Sequence, residues 1–280
     1  MQSSTIKVNR KLVNQQGIAS KQDLIAVEEP LQVDLIHLGK DITFTITMRT
    51  PGQDKYLTYG ILFNENVILN ASDILALNTL EVNEVVKANV VQVGLTAACE
   101  KNLKSVLKIN HRRLVSHSGC GICGKTSLTA LTLKVSRENK NLMVDISLEQ
   151  IKKVRQLLSI QPLFSQTGGS HVAGIIYQRQ QKGTFSLDFD NAKFFEDVGR
   201  HNALDKLIGY ELLQHNLDKT GVIVLSGRIG FELVQKVVMT GFSTIIALGA
   251  PTSLAVETAN QFGLTLIGFA KDNRFNIYTI

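Results

Sequence analysis

The sequence predicts a mixed α+β first half followed by an α/β second half. Residues 41–47 alternate apolar and polar side chains with a period of two, which is typical of a half-buried strand. From residue 222 to residue 269, strand-like and helix-like segments alternate, and this order favours a mostly parallel sheet with right-handed crossovers. Because the pattern changes near residue 140, we expect two domains, 1–140 and 141–280.

Turn residues separate the short elements of the first half. An apolar run at 31–38 precedes the alternating strand, and Thr50-Pro51-Gly52 ends that strand. We predict a short helix over 57–63 and a further strand over 84–95. The segment 100–113 is the most basic of the chain, and it leads directly to a pair of cysteines.

Helix and strand signals are clearer in the second half. Ser147 and Gln150 match a capping box, so a helix is predicted to begin there. Two apolar runs around Gly183 predict a hairpin of 172–177 and 184–189. The remaining predicted elements are helix 202–214, strand 222–225, helix 231–239, strand 244–248, helix 253–262, strand 264–269 and a last strand over 276–280.

Composition and charge narrow the classes of function. The chain has 30 Lys and Arg against 24 Asp and Glu, a net charge of +6 that suits an anionic partner, although a solvated surface explains the same balance. Nucleic-acid binding is disfavoured, since Trp is absent and no basic block is interleaved with aromatic residues. No apolar window is long enough to span a membrane, and the first residues do not resemble a signal peptide. We therefore expect a cytoplasmic protein.

The strongest local signal is the cysteine pair Cys120-Gly-Ile-Cys123. Such a pair can ligate zinc, cycle as a dithiol, or offer one nucleophilic thiolate. No second ligand pair at zinc spacing occurs, and the mid-chain position is unlike a thioredoxin motif. The flanking glycines indicate an exposed loop, in which His117, Lys125 and the basic residues upstream favour thiolates. Two cysteines kept by chance in a turn remain an alternative; the third cysteine, Cys99, has the character of a small apolar residue.

Several polar loops are candidates for binding an anion. Arg200 and His201 are expected at the positive end of a helix capped by Asn202, although a capped surface helix is the alternative. Parallel strands place the loops that follow them at one edge of the sheet, where ligands bind in α/β proteins. These loops contain Arg228, residues 249–253 and residues 271–274, and neither a P-loop nor a Rossmann fingerprint occurs.

Seven motifs in order give the sequence a family resemblance. It resembles the formate dehydrogenase accessory sulfurtransferases, the FdhD family, nearly from end to end. The motifs lie at 28–31, 48–52, 118–124, 167–171, 197–206, 226–228 and 250–257. A Cys-x-x-Cys motif is common, but the joint set in this order is specific to the family.

The resemblance implies a sulfurtransferase that works with other proteins. Members take sulfur from a cysteine desulfurase and deliver it to the molybdenum or tungsten bis-guanine-dinucleotide cofactor, which is then inserted into the catalytic subunit of formate dehydrogenase. The cofactor is a transiently bound substrate, Mo-bis(molybdopterin guanine dinucleotide), and no permanently bound cofactor or metal is implied. The family further implies a homodimer and a cytidine-deaminase-like second half.

The resemblance also assigns roles to residues of this sequence. Cys120 matches the position of the persulfide, and Cys123 matches its partner cysteine. The guanine-dinucleotide loop matches residues 269–274, in which Asp272 and Asn273 stand where the family has Pro and Gly. The candidate cofactor-binding residues are thus Phe269, Ala270, Lys271, Asp272, Asn273 and Arg274, and to these we add Gly168, Gly169, His171, Arg200, His201 and Arg228 from the polar loops.

The sequence argues against one function other than sulfur transfer and leaves a second one open. A zinc deaminase needs a His-x-Glu and a Pro before its cysteine pair, but the sequence has no His-x-Glu, and Gly119 replaces the Pro. A non-catalytic chaperone that binds zinc or the cofactor for a molybdoenzyme stays open as the alternative function.

Overall fold

The computed structural model describes residues 3–15, 17–37, 39–80, 89–111, 142 and 145–279. In these residues the chain forms twelve strands and seven α-helices. The strands are β1 (Thr5–Asn14), β2 (Gly17–Ala26), β3 (Glu29–His37), β4 (Lys40–Arg49), β5 (Ile74–Leu80), β6 (Val90–Leu95), β7 (His171–Gln181), β8 (Thr184–Asp197), β9 (Gly221–Leu225), β10 (Thr244–Ala247), β11 (Thr265–Lys271) and β12 (Arg274–Ile277). The helices are α1 (Asp54–Asn64), α2 (Glu100–His111), α3 (Leu148–Ser159), α4 (Pro162–Thr167), α5 (Arg200–Leu213), α6 (Phe231–Thr240) and α7 (Ser253–Gln261).

The first half contains two sheets. β1 and β2 form a two-stranded ribbon, and a four-stranded sheet has the order β4-β3-β6-β5. In that sheet β3 pairs with β4 antiparallel and with β6 parallel, while β5 pairs with β6 antiparallel. The predicted strand over 41–47 and helix over 57–63 are confirmed as parts of β4 and α1, and the described part of the predicted strand 84–95 is β6.

The second half is built on a six-stranded sheet with the order β12-β11-β10-β9-β7-β8. In this sheet β9, β10 and β11 run parallel to one another; β7 pairs antiparallel with β9 and β8, and β12 pairs antiparallel with β11. The series of strands predicted over 222–269 is parallel as expected, but the prediction of a mostly parallel sheet is wrong for the six-stranded sheet as a whole, which is mixed. Hairpins supply both flanks, because two-residue turns reverse the chain after β7 and β11.

Local signals fix most element ends in this half. The predicted capping box at α3 is confirmed, since Gln150 N donates to Ser147 Oγ at 3.3 Å and Ser147 N donates to Gln150 Oε1 at 2.8 Å. The predicted hairpin is also confirmed as β7 and β8, which turn at Lys182 and Gly183 with φ of 49° and 81°. The last strand differs from the prediction, because β12 covers Arg274–Ile277 rather than 276–280.

Helices cover both faces of the six-stranded sheet. One face packs on α3, while the other packs on α5, α6 and α7 and continues into the core of the first half. At the centre of this larger core, α1 crosses α5 in backbone contact: a Cβ on Gly60 would overlap the carbonyl oxygen of Asp205, and a Cβ on Gly209 would overlap that of Tyr56. The predicted domain boundary at residue 140 lies outside the described residues, so the two-domain division stays a prediction. None of the described helices is long and apolar enough to cross a membrane.

Candidate functional site

The candidate site lies at the edge of the sheet where β9, β10 and β11 end. Hydrogen bonds join the loops that follow these strands in series, because Gly249 N donates to Gly227 O at 3.2 Å and Phe269 N donates to Gly249 O at 3.1 Å. A Cβ on Gly249 would lie 2.6 Å from Gly227 O, so only glycine permits this approach. The polar loops predicted to share one edge are therefore in contact there.

His171 begins β7 at this same edge, because β7 runs antiparallel to β9. Its imidazole lies against the 226–228 loop, where a Cβ on Gly227 would come within 3.2 Å of His171 Nδ1. Burial lowers the pKa of His171, and the positive charges of Arg200 and His201 lower it further. The neutral ring can therefore accept a hydrogen bond at neutral pH.

Arg200 and His201 form the first turn of α5, whose N-cap is Gly199. His201 Nε2 lies 2.8 Å from Glu232 Oε2 of α6, and the hydrogen bond from His201 lowers the pKa of Glu232. Arg200 Nε is buried and has no hydrogen-bond partner among the described residues. A cation beside the N-terminus of a helix is well placed to bind an anion.

Two expectations about α5 are wrong. Asn202 does not cap the helix; it lies inside the first turn, where its Nδ2 donates to Met48 O at 2.7 Å. Nor is α5 a surface helix, since most of its residues are buried, Asp205 and Lys206 among them. Charged side chains suggested exposure, but here they are paired inside the protein.

The loop expected to bind the guanine dinucleotide is a tight hairpin between β11 and β12. Lys271 pairs with Arg274 across it, so Asp272 and Asn273 form the turn. Arg155 of α3 holds this turn, since its Nε lies 2.7 Å from Asp272 Oδ1 and its Nη1 donates to Ala270 O at 2.9 Å. Lys271 and Arg274 are exposed, so both cations are accessible to a ligand.

At Phe269 the backbone of β11 departs from regular strand geometry just before this loop. It has a positive φ of 50° next to the register shift between Gly268 and Lys271, and 38% of its surface is exposed. An exposed aromatic ring in a strained backbone conformation is typical of a contact residue.

The structure therefore separates the candidate residues into two groups along one edge. The first group is His171, Arg200 and His201 together with the 226–228 loop that contains the exposed Arg228; the second is 269–274, beyond the 249–253 loop. Gly168 and Gly169 lie just before His171, where Gly168 is the left-handed C-cap of α4 and Gly169 faces Ala26 of β2. These two glycines end a helix and contact the ribbon.

Residues 48–52 are hydrogen-bonded to residues 197–206, a contact that the sequence does not predict. Thr50 N donates to Asp197 Oδ2 at 3.1 Å, and Lys206 Nζ donates to Thr50 O at 2.9 Å. Both segments were recognised as motifs, but no sequence pattern indicates that they touch.

The cysteine pair Cys120 and Cys123 lies outside the described residues, as do His117 and Lys125. Cys99 is described and is 2% exposed, and burial raises the pKa of its thiol. Its predicted character as a small apolar core residue is confirmed.

The mixed sheet covered by helices and the cations along its carboxyl edge define an α/β protein with a candidate site for an anionic ligand. A model of the FdhD/NarQ family matches residues 26–280. The chain is 38% identical over 280 residues to sulfur carrier protein FdhD of Sulfolobus acidocaldarius, which covers 100% of this chain and 97% of the relative. It is 36% identical over 280 residues to sulfur carrier protein FdhD of Sulfurisphaera tokodaii, with 100% and 98% covered. The chain belongs to the FdhD/NarQ family, as its motifs predict.

A solved structure shares the fold. The crystal structure of a formate dehydrogenase accessory protein from Desulfotalea psychrophila matches with a TM-score of 0.67 and 20% sequence identity. The match covers 99% of this chain and 98% of that chain. The likeness of the second half to cytidine deaminases stays a prediction.

Proposed function

We propose that the protein is a sulfur carrier that takes sulfur from a cysteine desulfurase and transfers it to a molybdenum or tungsten cofactor destined for formate dehydrogenase. The observation that carries this proposal is membership of the FdhD/NarQ family over residues 26–280. The relatives' name, sulfur carrier protein FdhD, supports a role in sulfur transfer.

Cys120 is the proposed carrier of the sulfur. Its thiolate attacks the terminal sulfur of the desulfurase persulfide, the sulfur–sulfur bond of the donor breaks, and the donor cysteine leaves as a thiolate. The sulfur is now held on Cys120 as a persulfide without net oxidation of the protein. Release as sulfide needs two electrons, which Cys123 supplies by attacking Cys120 and forming a disulfide that an external thiol then reduces.

The receiving substrate is the bis-guanine-dinucleotide form of the cofactor, bound at the carboxyl edge of the six-stranded sheet. Its diphosphates need cationic donors, and exposed Lys271, Arg274 and Arg228 are such donors along this edge. Phe269 offers a ring against which a base can stack. The first group, His171, Arg200 and His201, lies along the same edge, where Arg200 adds a further cation that supports the assignment.

The proposed reaction takes place in the cytoplasm and involves three further molecules of protein. These are the cysteine desulfurase, the catalytic subunit of formate dehydrogenase and a second copy of this chain in a homodimer. No nucleic acid takes part.

Loading of Cys120 is the direct test of sulfur transfer. We expect that purified protein incubated with cysteine desulfurase and cysteine gains the mass of one sulfur atom on the peptide that contains Cys120. Cys120→Ala should abolish both this gain and the maturation of formate dehydrogenase. Cys123→Ala should still be loaded but should mature the enzyme poorly, because its persulfide lacks the second thiol.

Cys99→Ala is the matched control, since the same change in the buried core should leave loading and maturation near wild type. Full maturation by Cys120→Ala would exclude the carrier role of this cysteine. Stoichiometric zinc retained after dialysis, without any loading, would instead support a zinc-binding chaperone.

Nucleotide binding tests the cofactor site separately. We expect isothermal titration to show GDP binding more tightly than ADP, and Arg274→Ala to weaken GDP binding by about ten- to a hundredfold through loss of a charge-assisted hydrogen bond. Persulfide loading of Cys120 should be unchanged in this variant.

Arg179→Ala is the control, because it removes another exposed arginine, from the far end of β7 and away from the proposed edge loops. Unchanged GDP affinity in Arg274→Ala with a large loss in Arg228→Ala would move the diphosphate to the first group of residues. Equal affinity for GDP and ADP would mean that the base is not recognised.

A further inference from the structure

The loop 48–52 lies behind the turn that carries Arg200 and His201, and it contacts that turn through buried hydrogen bonds. Thr50 is 2% exposed, and its hydroxyl accepts a hydrogen bond from Val198 N at 3.2 Å. Its own N–H donates to Asp197 Oδ2 at 3.1 Å. Thr50 is thus hydrogen-bonded both to the side chain of Asp197 and to the backbone N–H of Val198.

Asp197 is the centre of this contact and has no exposed surface, with 0% of it accessible. Its Oδ2 also pairs with Lys206 Nζ at 2.7 Å, and its Oδ1 accepts from Gly199 N at 2.8 Å and from Asn202 Nδ2 at 3.3 Å. A carboxylate that accepts this many hydrogen bonds fixes the groups around it in one arrangement.

Lys206 completes the buried network from the second turn of α5. It is 1% exposed, and its ammonium donates to Thr50 O at 2.9 Å and to Glu196 O at 3.0 Å in addition to Asp197. Burial lowers the pKa of Lys206 while the charge of Asp197 opposes that effect. All three hydrogens of the ammonium therefore have acceptors inside the protein.

The turn held by this network places an arginine and a second histidine next to His171. Asp197 pairs with His171 across β7 and β8, and Arg200 and His201 follow within four residues. Because His171 lies opposite Asp197 in the sheet and α5 begins at Arg200, the first turn of α5 starts beside His171. A small rotation of the turn would therefore move both side chains relative to the imidazole.

From this geometry we infer that Thr50 is a positioning residue, which acts through the 197–199 turn to hold Arg200 and His201 toward His171 in the geometry that an anionic ligand requires. Among the described residues, its hydrogen bonds across this contact go to Asp197, Val198 and Lys206 rather than to the three side chains themselves. The inference rests on the proposed function for the identity of the ligand, but the arrangement of the three side chains can be measured without any ligand.

Thr50→Val is the variant that tests this role, because it keeps the size of the side chain and removes the acceptor for Val198 N. The first measurement is the pKa of His171, which is obtained from an NMR titration of its imidazole. In Thr50→Val we expect this pKa to rise toward its ordinary value, because Arg200 and His201 move away. The second is the affinity for GDP, which we expect to fall by about three- to tenfold.

Two further variants separate positioning from folding. Thr50→Ser retains the hydroxyl and should restore both measurements. Thr240→Val, at the C-terminal end of α6, is the matched control. Thr240 is 1% exposed, and its hydroxyl likewise accepts a hydrogen bond from a backbone N–H, that of Phe242 at 3.3 Å. It should lose comparable stability with no change in the pKa of His171 or in GDP affinity.

A folded Thr50→Val protein with an unchanged His171 pKa and unchanged GDP affinity would overturn the inference. If wild-type protein does not bind GDP at all, the proposed ligand is wrong, while the His171 titration still decides the positioning role. Should Thr50→Val not fold, Asn202→Ala replaces it, because Asn202 Nδ2 also links α5 to the 48–52 segment by donating to Met48 O.

Discussion

At the scale of single residues, the buried carboxyl of Glu211 should make the stability of the protein depend on pH. Glu211 has 0% exposure and accepts hydrogen bonds from Tyr177 Oη at 2.7 Å and 2.6 Å. Burial raises the pKa of Glu211 from 4.5 to about 7, although Tyr177 and Lys219 oppose the rise. The folded protein therefore binds a proton that the unfolded chain has already released between these two pH values.

The contribution of Glu211 to the free energy of unfolding should be highest below pH 4.5. It should be lost as the pH rises from there through 7. The difference between the two pKa values corresponds to roughly 3 kcal/mol. Glu211→Gln stays neutral at every pH, so urea unfolding should find it more stable than wild type at pH 8 and similar at pH 5. Glu149→Gln, on the exposed surface of α3, should follow wild type at both. A constant difference between Glu211→Gln and wild type at the two pH values would contradict the titration.

At the scale of elements, the crossing of α1 and α5 depends on two glycines. A methyl group on Gly209 would overlap the carbonyl oxygen of Tyr56, and backbone atoms cannot yield as a side chain can. We expect Gly209→Ala to lower the free energy of unfolding by about 3 kcal/mol, at the upper end of overpacking changes. Chemical denaturation with far-UV circular dichroism would measure it.

Gly94→Ala is the control for this prediction. A Cβ on Gly94 would lie 3.7 Å from its nearest neighbour, Ala76, which is an ordinary contact. The same substitution in β6 should therefore change stability by no more than about 0.5 kcal/mol. Equal effects of the two substitutions would show that the helices can separate without loss.

At the scale of the whole molecule, the elements of the second half were predictable, but their arrangement was only partly so. Alternating apolar runs and turn residues placed β9, α6, β10 and α7 within one or two residues of their ends. The direction of β7 was not predictable, because an apolar strand is buried equally well whether it runs parallel or antiparallel to the strand beside it. The alternating pattern correctly predicted the parallel strands β9, β10 and β11, but it did not indicate that β7 joins them antiparallel.

The candidate site divides in the same way. Strand polarity was enough to bring the loops at 226–228, 249–253 and 271–274 to one edge. The bond from Thr50 to Asp197 joins residues 147 positions apart, and no local rule relates them. Charge also misled, because Lys206 looked like a residue of an exposed helix face, whereas Asp197 balances it in the interior. The roles of Cys120 and Cys123 stay predictions.

The backbone contact of α1 with α5 also has a consequence during translation. The ribosome releases α1 long before α5, because α1 ends at Asn64 and α5 at Leu213. At roughly 5–20 residues per second, the two helices emerge about 7–30 s apart. During that interval the face of α1 that later receives α5 has no partner, and its leucines are open to other nascent chains. We therefore expect newly made protein to depend on chaperones until the second half has emerged.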